Sequence, residues 1–205
     1  MPRPKAFEPA QALDRAMELF WRRGYSDTAL DDLVRRTGAS RYGLYATFGG
    51  KRDLFLGALE RYSQLVMDPM IGALEHSHAA ATEIRGFFDR VLHLIGGYRD
   101  RRGCLMCNTA FERRLVDPAA ARRVQRHFAR VRRGLARALT HARRDGDLAR
   151  GVAVPAYADY LLGTAAGAFF LARSGMQRSV IRSFVGVALQ GLASPRGRSG
   201  TAVSN

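Results

Sequence analysis

Cysteine is almost absent from the sequence: Cys104 and Cys107 are the only two among 205 residues. A pair three residues apart cannot supply the cross-linked framework of a small exported domain. Long apolar runs are missing too. No stretch of about eighteen residues is apolar and uncharged throughout, and the start MPRPKAFEPAQ has basic residues with no apolar segment behind them. Neither a membrane span nor a secretory leader is therefore expected, and the protein is placed in the cytoplasm with no membrane partner. Glycine-rich phosphate loops, nucleophile elbows and clusters of metal-ligating side chains are also lacking, and the five histidines share no spacing pattern. Accordingly no catalytic residue, metal or cofactor is assigned, and the chain is not read as an enzyme. The alternating pattern of a half-buried strand is not found either, so nothing competes with a helical reading.

Hydrophobic residues make up 47% of the chain and charged residues 25%, which is enough apolar material for one small domain fused to one of ordinary size. The net charge is +15, carried almost wholly by arginine, since Lys5 and Lys51 are the only lysines. A balance of this sign favours polyanionic partners, nucleic acid first, through counterion release. Residues 1–60 nonetheless carry 10 basic against 8 acidic side chains, whereas residues 119–150 carry 10 against 2. Charge alone thus does not locate a nucleic-acid site.

Between Glu8 and Arg23 the residues Ala12, Leu13, Ala16, Met17, Leu19 and Phe20 recur at helical spacing, and Gly24 stands where a terminating glycine belongs. A second helix, LDDLVRRT, has Ser26, Asp27 or Thr28 as candidate caps, acidic residues at its start and arginines at its end. A third, SRYGLYATF, takes Ser40 as its cap. RDLFLGALERYSQLVMDPM resumes a longer helix that Pro69 is expected to kink or end. Beyond residue 75 come amphipathic segments at roughly 80–97, 103–115, 119–144, 155–173 and 177–192, separated by glycine, proline and aspartate breaks. The fold class expected is all-α with about nine helices: a helix-turn-helix domain over 1–52, a helical regulatory and dimerisation domain over 53–193, and a disordered tail over 194–205.

Two short helices joined at Gly38, with Leu30, Leu33, Val34, Leu44 and Phe48 available for a shared core, describe a helix-turn-helix. Such a unit lays its second helix in the major groove, where residues near the helix start reach base edges and flanking phosphates. The exposed candidates are Ser40, Arg41, Tyr42, Gly43, Tyr45 and Thr47, with Gly43 permitting close approach.

The segment GYSDTALDDLVRRTGASRYGLYATFGGKRDLF resembles the N-terminal signature of the TetR family of regulators, over residues 8–60. The resemblance implies that Thr28, Tyr45, Thr47 and Lys51 touch phosphates and that Arg41, Tyr42 and Gly43 face bases. It departs at Ala46, where many relatives carry a bulkier polar or aromatic residue. It further implies a homodimer formed through the last two long helices on double-stranded, palindromic operator DNA. Regulators of this kind release DNA when a small-molecule effector or a chemical change reaches the C-terminal domain. YADYLLGTAAGAFFLARSGM agrees on physical grounds, being apolar on more than one face and so in need of partners on most sides.

RGCLMCNTAFE is the most chemically suggestive part of the second domain. A cysteine at a helix start near Arg101 and Arg102 would have its thiolate favoured, so Cys104 is a candidate sensor of electrophiles or oxidants, with Cys107 one turn on as a resolving thiol. The plain alternative is that both are small buried hydrophobes. Phe111, Phe128 and Tyr160, along with Phe87, Phe88, Tyr157 and Phe169, are candidates to line an effector cavity or simply to fill the core. The arginines at 122, 126, 130, 133, 137 and 144 read as a solvated face, with an anionic effector site or help in holding DNA as the functional alternatives. Two other classes stay open at this point, a thiol-redox enzyme and a DNA-binding module without regulation.

Overall fold

A computed structural model describes residues 7–97, 101–112 and 117–192, so the tail assigned to 194–205 and the last residues of the 103–115 segment lie outside the described residues. Helix α1, Pro9–Arg23, opens on a proline, where the missing N–H would have no helical partner in any case. It buries Ala12, Ala16, Met17, Phe20 and Trp21 and ends at Gly24. Helix α2, Leu30–Thr37, is capped at Ala29 rather than at Ser26, Asp27 or Thr28. The cap works in reverse: the Asp32 carboxylate reaches back to accept from the Ala29 N–H at 3.2 Å. That hydrogen bond, helped by Arg23 and Arg35, holds the Asp32 carboxyl below its usual range. Gly38, at φ +75, then turns the chain through the left-handed region that a side chain resists. Helix α3, Arg41–Phe48, starts as its sequence predicts, with the Ser40 hydroxyl accepting from the Gly43 N–H at 3.0 Å.

Helices α4, Lys51–Tyr62, and α5, Asp68–Glu75, are one continuous rod interrupted by a π-helical turn at Ser63–Met67. Pro69 therefore does not end the rod, and the break in regular α-helical winding falls on the turn just before it. The wider turn just before it absorbs the missing N–H and the ring's clash with the preceding carbonyl. Buried positions step from Tyr62 to Met67 across this turn and resume at Met70, Ile71 and Leu74.

The remaining elements are α6 (Ala81–Gly97), α7 (Leu105–Phe111), α8 (Pro118–Arg144), α9 (Val154–Arg173) and α10 (Arg178–Ala188), the last followed by a short 3-10 turn. Counting α4 and α5 as one, the described residues form nine helices and no strand, apart from an isolated bridge between Leu148 and Leu192. Helix α1 packs chiefly on α4, α8 on α9, and α10 on α9, so a single apolar interior runs from the N-terminal helices into the C-terminal ones.

The arginine-rich face of α8 is exposed at Arg122, Arg126, Arg133 and Arg144, as expected of a solvated stripe, and other arginines of the helix make contacts to its neighbours. Arg130 pairs with Glu75 at 2.7 Å and with Asp68, Arg132 pairs with Asp159, and Arg137 donates to the Leu74 carbonyl at 3.1 Å. These side chains tie α8 to α5 and α9.

The core beneath α2 and α3 is small, since only Leu33, Thr37 and Leu44 are fully buried there, while Leu30, Val34 and Phe48 lie partly open. Replacing Leu33 by Ala should remove about 2–5 kcal/mol of stability and lower the thermal midpoint by roughly 5–20 °C. Differential scanning calorimetry of the full chain checks this.

Candidate nucleic-acid interface

Helix α3 presents one face to solvent. Tyr42 is 84% exposed and Tyr45 50%, with Ser40, Arg41 and Ala46 exposed beside them and Thr47 half-buried. Leu44 points the other way and is buried. The Arg41 guanidinium lies 2.6 Å from the Asp31 carboxylate, and both side chains are largely in water. An ion pair of that kind is worth about 0–1 kcal/mol, so it positions Arg41 at the helix start without withholding it from a phosphate or base.

Two expectations change at this face. Thr28 is fully buried and donates its hydroxyl to the Gly24 carbonyl at 2.6 Å, so its side chain secures the turn before α2 instead of lying on the surface. At Gly43, a Cβ would come within 2.8 Å of the Phe7 ring. The space left by glycine is thus occupied from inside the chain, by a residue preceding α1.

Lys51 opens α4 half-buried, its ammonium 4.3 Å from the centre of the Tyr25 ring. Burial lowers its pKa, while Glu112 and Asp27 act in the opposite sense. Tyr25 and Glu112 belong to the joint between the two halves of the molecule, so Lys51 links the exposed face to that joint.

The joint is built by residues 102–112. The Trp21 indole N–H donates to the Gly103 carbonyl at 2.9 Å, and Arg102 sits over the same ring at 4.9 Å. Asn108 donates to the Arg102 carbonyl at 2.8 Å and to that of Trp21 at 3.4 Å. The Glu112 carboxylate accepts from the backbone N–H groups of Tyr25, at 3.0 Å, and Ser26, which form the turn between α1 and α2. Farther along, Arg52 meets Asp117 at 2.6 Å, and Asp117 also caps α8.

Cys104 and Cys107 are buried within this segment. Burial raises the Cys104 pKa, but the Cys107 thiol, the Tyr62 hydroxyl and the N–H groups of Cys107 and Met106 near the sulfur outweigh it and hold the thiol below its ordinary range. The Cys107 thiol is pushed up, chiefly because its proton is held by Cys104. Both line a small apolar cavity with Met67, Phe87, His127, Phe128 and Phe169. Phe111 and Tyr160 do not reach it. Phe111 is 65% exposed because α7 ends there, against Phe170 at the mouth of a cleft. Tyr160 is 50% exposed, since Ala158, Leu161 and Ala165 form the inward face of α9.

A short turn-linked helix pair whose second member faces solvent, carried on an all-helical body, defines a helix-turn-helix DNA-binding protein. The family model "Bacterial regulatory proteins, tetR family" matches residues 12–58, and the model "Tetracyclin repressor-like, C-terminal domain" matches residues 80–185. The HTH-type transcriptional regulator YezE of Bacillus subtilis (strain 168) is 30% identical over 190 residues, covering 92% of this chain and 98% of that one. The HTH-type transcriptional repressor ComR of Escherichia coli (strain K12) is 53% identical over 60 residues, 29% of each chain. Among solved structures, a cysteine mutant of the TetR family transcriptional regulator CifR complexed with 26 bp double-strand operator DNA superposes with a TM-score of 0.81 at 26% identity, covering 91% of this chain and 98% of that one. The chain belongs to the TetR family and is a DNA-binding transcriptional regulator, not an enzyme.

Held below the ordinary thiol range, the Cys104 thiol loses its proton at a lower pH than a free cysteine. The thiolate ultraviolet absorbance of the reduced protein should accordingly rise with a midpoint below that of an unstructured cysteine peptide, and Cys104→Ser should abolish that transition.

Proposed function

We propose that the chain is a repressor that holds a palindromic operator as a homodimer and lets go when a small effector or a thiol modification alters α7. Residues 1–52 form the reading head and residues 53–193 the regulatory and dimerisation part. Arg41 and Tyr42 face bases, with Ser40 setting the start of the helix and Gly43 making room for Phe7 behind it; Tyr45, Thr47 and Lys51 hold phosphates. Thr28 contributes through the turn it secures. Repression is favoured because ComR, 53% identical over 60 residues, carries that name. Operator binding is favoured by the CifR complex.

The single observation that carries the reading is the overlap of two features in residues 103–112: the cysteine pair and the polar contacts to the reading head occupy the same ten residues. A chemical change at Cys104 or Cys107 acts directly on the segment that fixes α1 and the following turn. Dimerisation rests on α9 and α10, which leave Phe170, Val180, Phe184 and Val187 exposed. A second copy burying these side chains would give the twofold arrangement that a palindrome requires.

Operator binding is the deciding experiment, with the operator found by genome-wide mapping of bound sites. Tyr42→Ala and Lys51→Ala should weaken binding without lowering the thermal midpoint, and Lys51→Ala should reduce the salt slope by about 1. Unchanged affinity in both variants would defeat the assignment. Val187→Glu combined with Phe184→Glu should yield monomers in sedimentation and lose the palindrome. Oxidant or electrophile should release the wild-type protein, and full release of Cys104→Ser would remove that thiol from the mechanism.

A further inference from the structure

The cavity beside the two sulfurs has a volume of about 20 Å³. One water-sized molecule needs about 10–15 Å³, whereas pockets for drug-sized ligands run to about 300–1,000 Å³. The walls are Met67, Met70, Ile71, Phe87, Phe169 and their apolar neighbours, with no lysine, arginine, aspartate or glutamate among them. His127 is the one other titratable wall group. Burial, aided by Arg130 and opposed by Asp68, pushes its pKa down to about 4, so it is neutral at physiological pH. A charged or bulky reagent therefore meets neither space nor compensation at the sulfurs.

Tyr62 adds a second, independent feature. It lies fully buried at the end of α4, and its hydroxyl makes no well-formed hydrogen bond although the Cys104 sulfur and the Leu105 N–H are both near it. Buried hydroxyls are ordinarily satisfied, and an exception calls for a function. Cys104 at the N-cap of α7 and Cys107 in its first turn line the same cavity, within one helical turn of each other.

We infer that Cys104 and Cys107 form a disulfide on reaction with a small uncharged hydroperoxide, hydrogen peroxide being the simplest, and that the Tyr62 hydroxyl donates to the reacting oxygen. This rests on the reading of α7 as the effector segment. In the first step the Cys104 thiolate attacks one peroxide oxygen. The S–O bond forms as the O–O bond breaks, and the leaving oxygen takes up, by way of Tyr62, the equivalent of the proton that Cys104 lost on ionising, and departs as water. In the second step Cys107 attacks the sulfenic sulfur of Cys104. The S–S bond forms, the S–O bond breaks, and hydroxide leaves with the Cys107 proton as a second water. Two thiols and one peroxide become one disulfide and two waters; the sulfurs lose two electrons and the peroxide oxygens gain them.

The test uses the full-length reduced protein and follows intact mass and operator binding in the same samples. Hydrogen peroxide should remove two hydrogens per chain, on the order of tenfold faster than cumene hydroperoxide or N-ethylmaleimide modifies the pair, as size exclusion at a buried thiolate requires. Tyr62→Phe keeps the ring and the fold, verified by thermal midpoint, and should slow peroxide oxidation by a similar factor. Cys107→Ser should stop at a sulfenic acid on Cys104 that dimedone traps. Peroxide reacting no faster than with an unstructured cysteine peptide, maleimide winning the comparison, or an unaltered rate in Tyr62→Phe would overturn the inference. Disulfide formation at the expected rate with the operator still held would defeat the regulatory reading instead, and leave the chemistry standing.

Discussion

The Glu112 carboxylate, accepting from two successive backbone N–H groups at Tyr25 and Ser26, is the interaction on which the joint of this molecule depends. Turn N–H groups removed from water must find acceptors, and here no local side chain supplies them. The acceptor comes instead from the far end of α7, across nearly ninety residues of sequence. Because the same stretch receives the Trp21 indole and positions Asn108, the start of α2 is located relative to the cysteines by fixed hydrogen bonds rather than by apolar contact alone. Charge-assisted bonds of this type are short and directional, which makes the joint rigid while it is intact and abrupt when it fails.

The exposed face of α3 follows from the thinness of its support. Leu33 and Leu44 anchor the pair of helices, Ser40 fixes where the second one starts, and little else is asked of that helix. Tyr42, Tyr45 and Ala46 are consequently left to solvent. The pairing of Arg41 with Asp31 adds that the leading cation has a resting position which an incoming phosphate can displace at small cost.

Much of this was legible in the sequence where the determinants are local. LDDLVRRT and RYGLYATF form helices with the bounds that charge, Ser40 and Gly38 dictate, because capping and turn formation involve residues within four positions of each other. The exposure of Tyr42 and the burial of Leu44 follow from the same periodicity. What escaped are contacts whose partners lie far apart in the chain. Nothing near Gly43 announces Phe7, nothing near Thr28 announces that its side chain is enclosed, and nothing in GCLMCN announces Tyr62 at the other end of α4. Phe111 lines the open cleft beside Glu112 rather than the cavity at the cysteines, and Tyr160 turns outward, for a related reason: spacing within a helix tells which residues share a face, not which face the neighbouring helices cover. Arg122, Arg126, Arg133 and Arg144 are exposed as the stripe implies, whereas nothing near Arg130 announces that Asp68 and Glu75 stand opposite it.

The π-helical turn at Ser63–Met67 holds one residue more than an α-helical turn needs to reach the same angle. A residue lost from a regular α-helix rotates everything beyond it by roughly 100°. Lost from this wider turn, it is absorbed by the return to ordinary winding, and Met70, Ile71 and Leu74 keep facing the interior they fill. A relative one residue shorter in this stretch is thus expected to carry an uninterrupted α-helix with the residues beyond it in the same register.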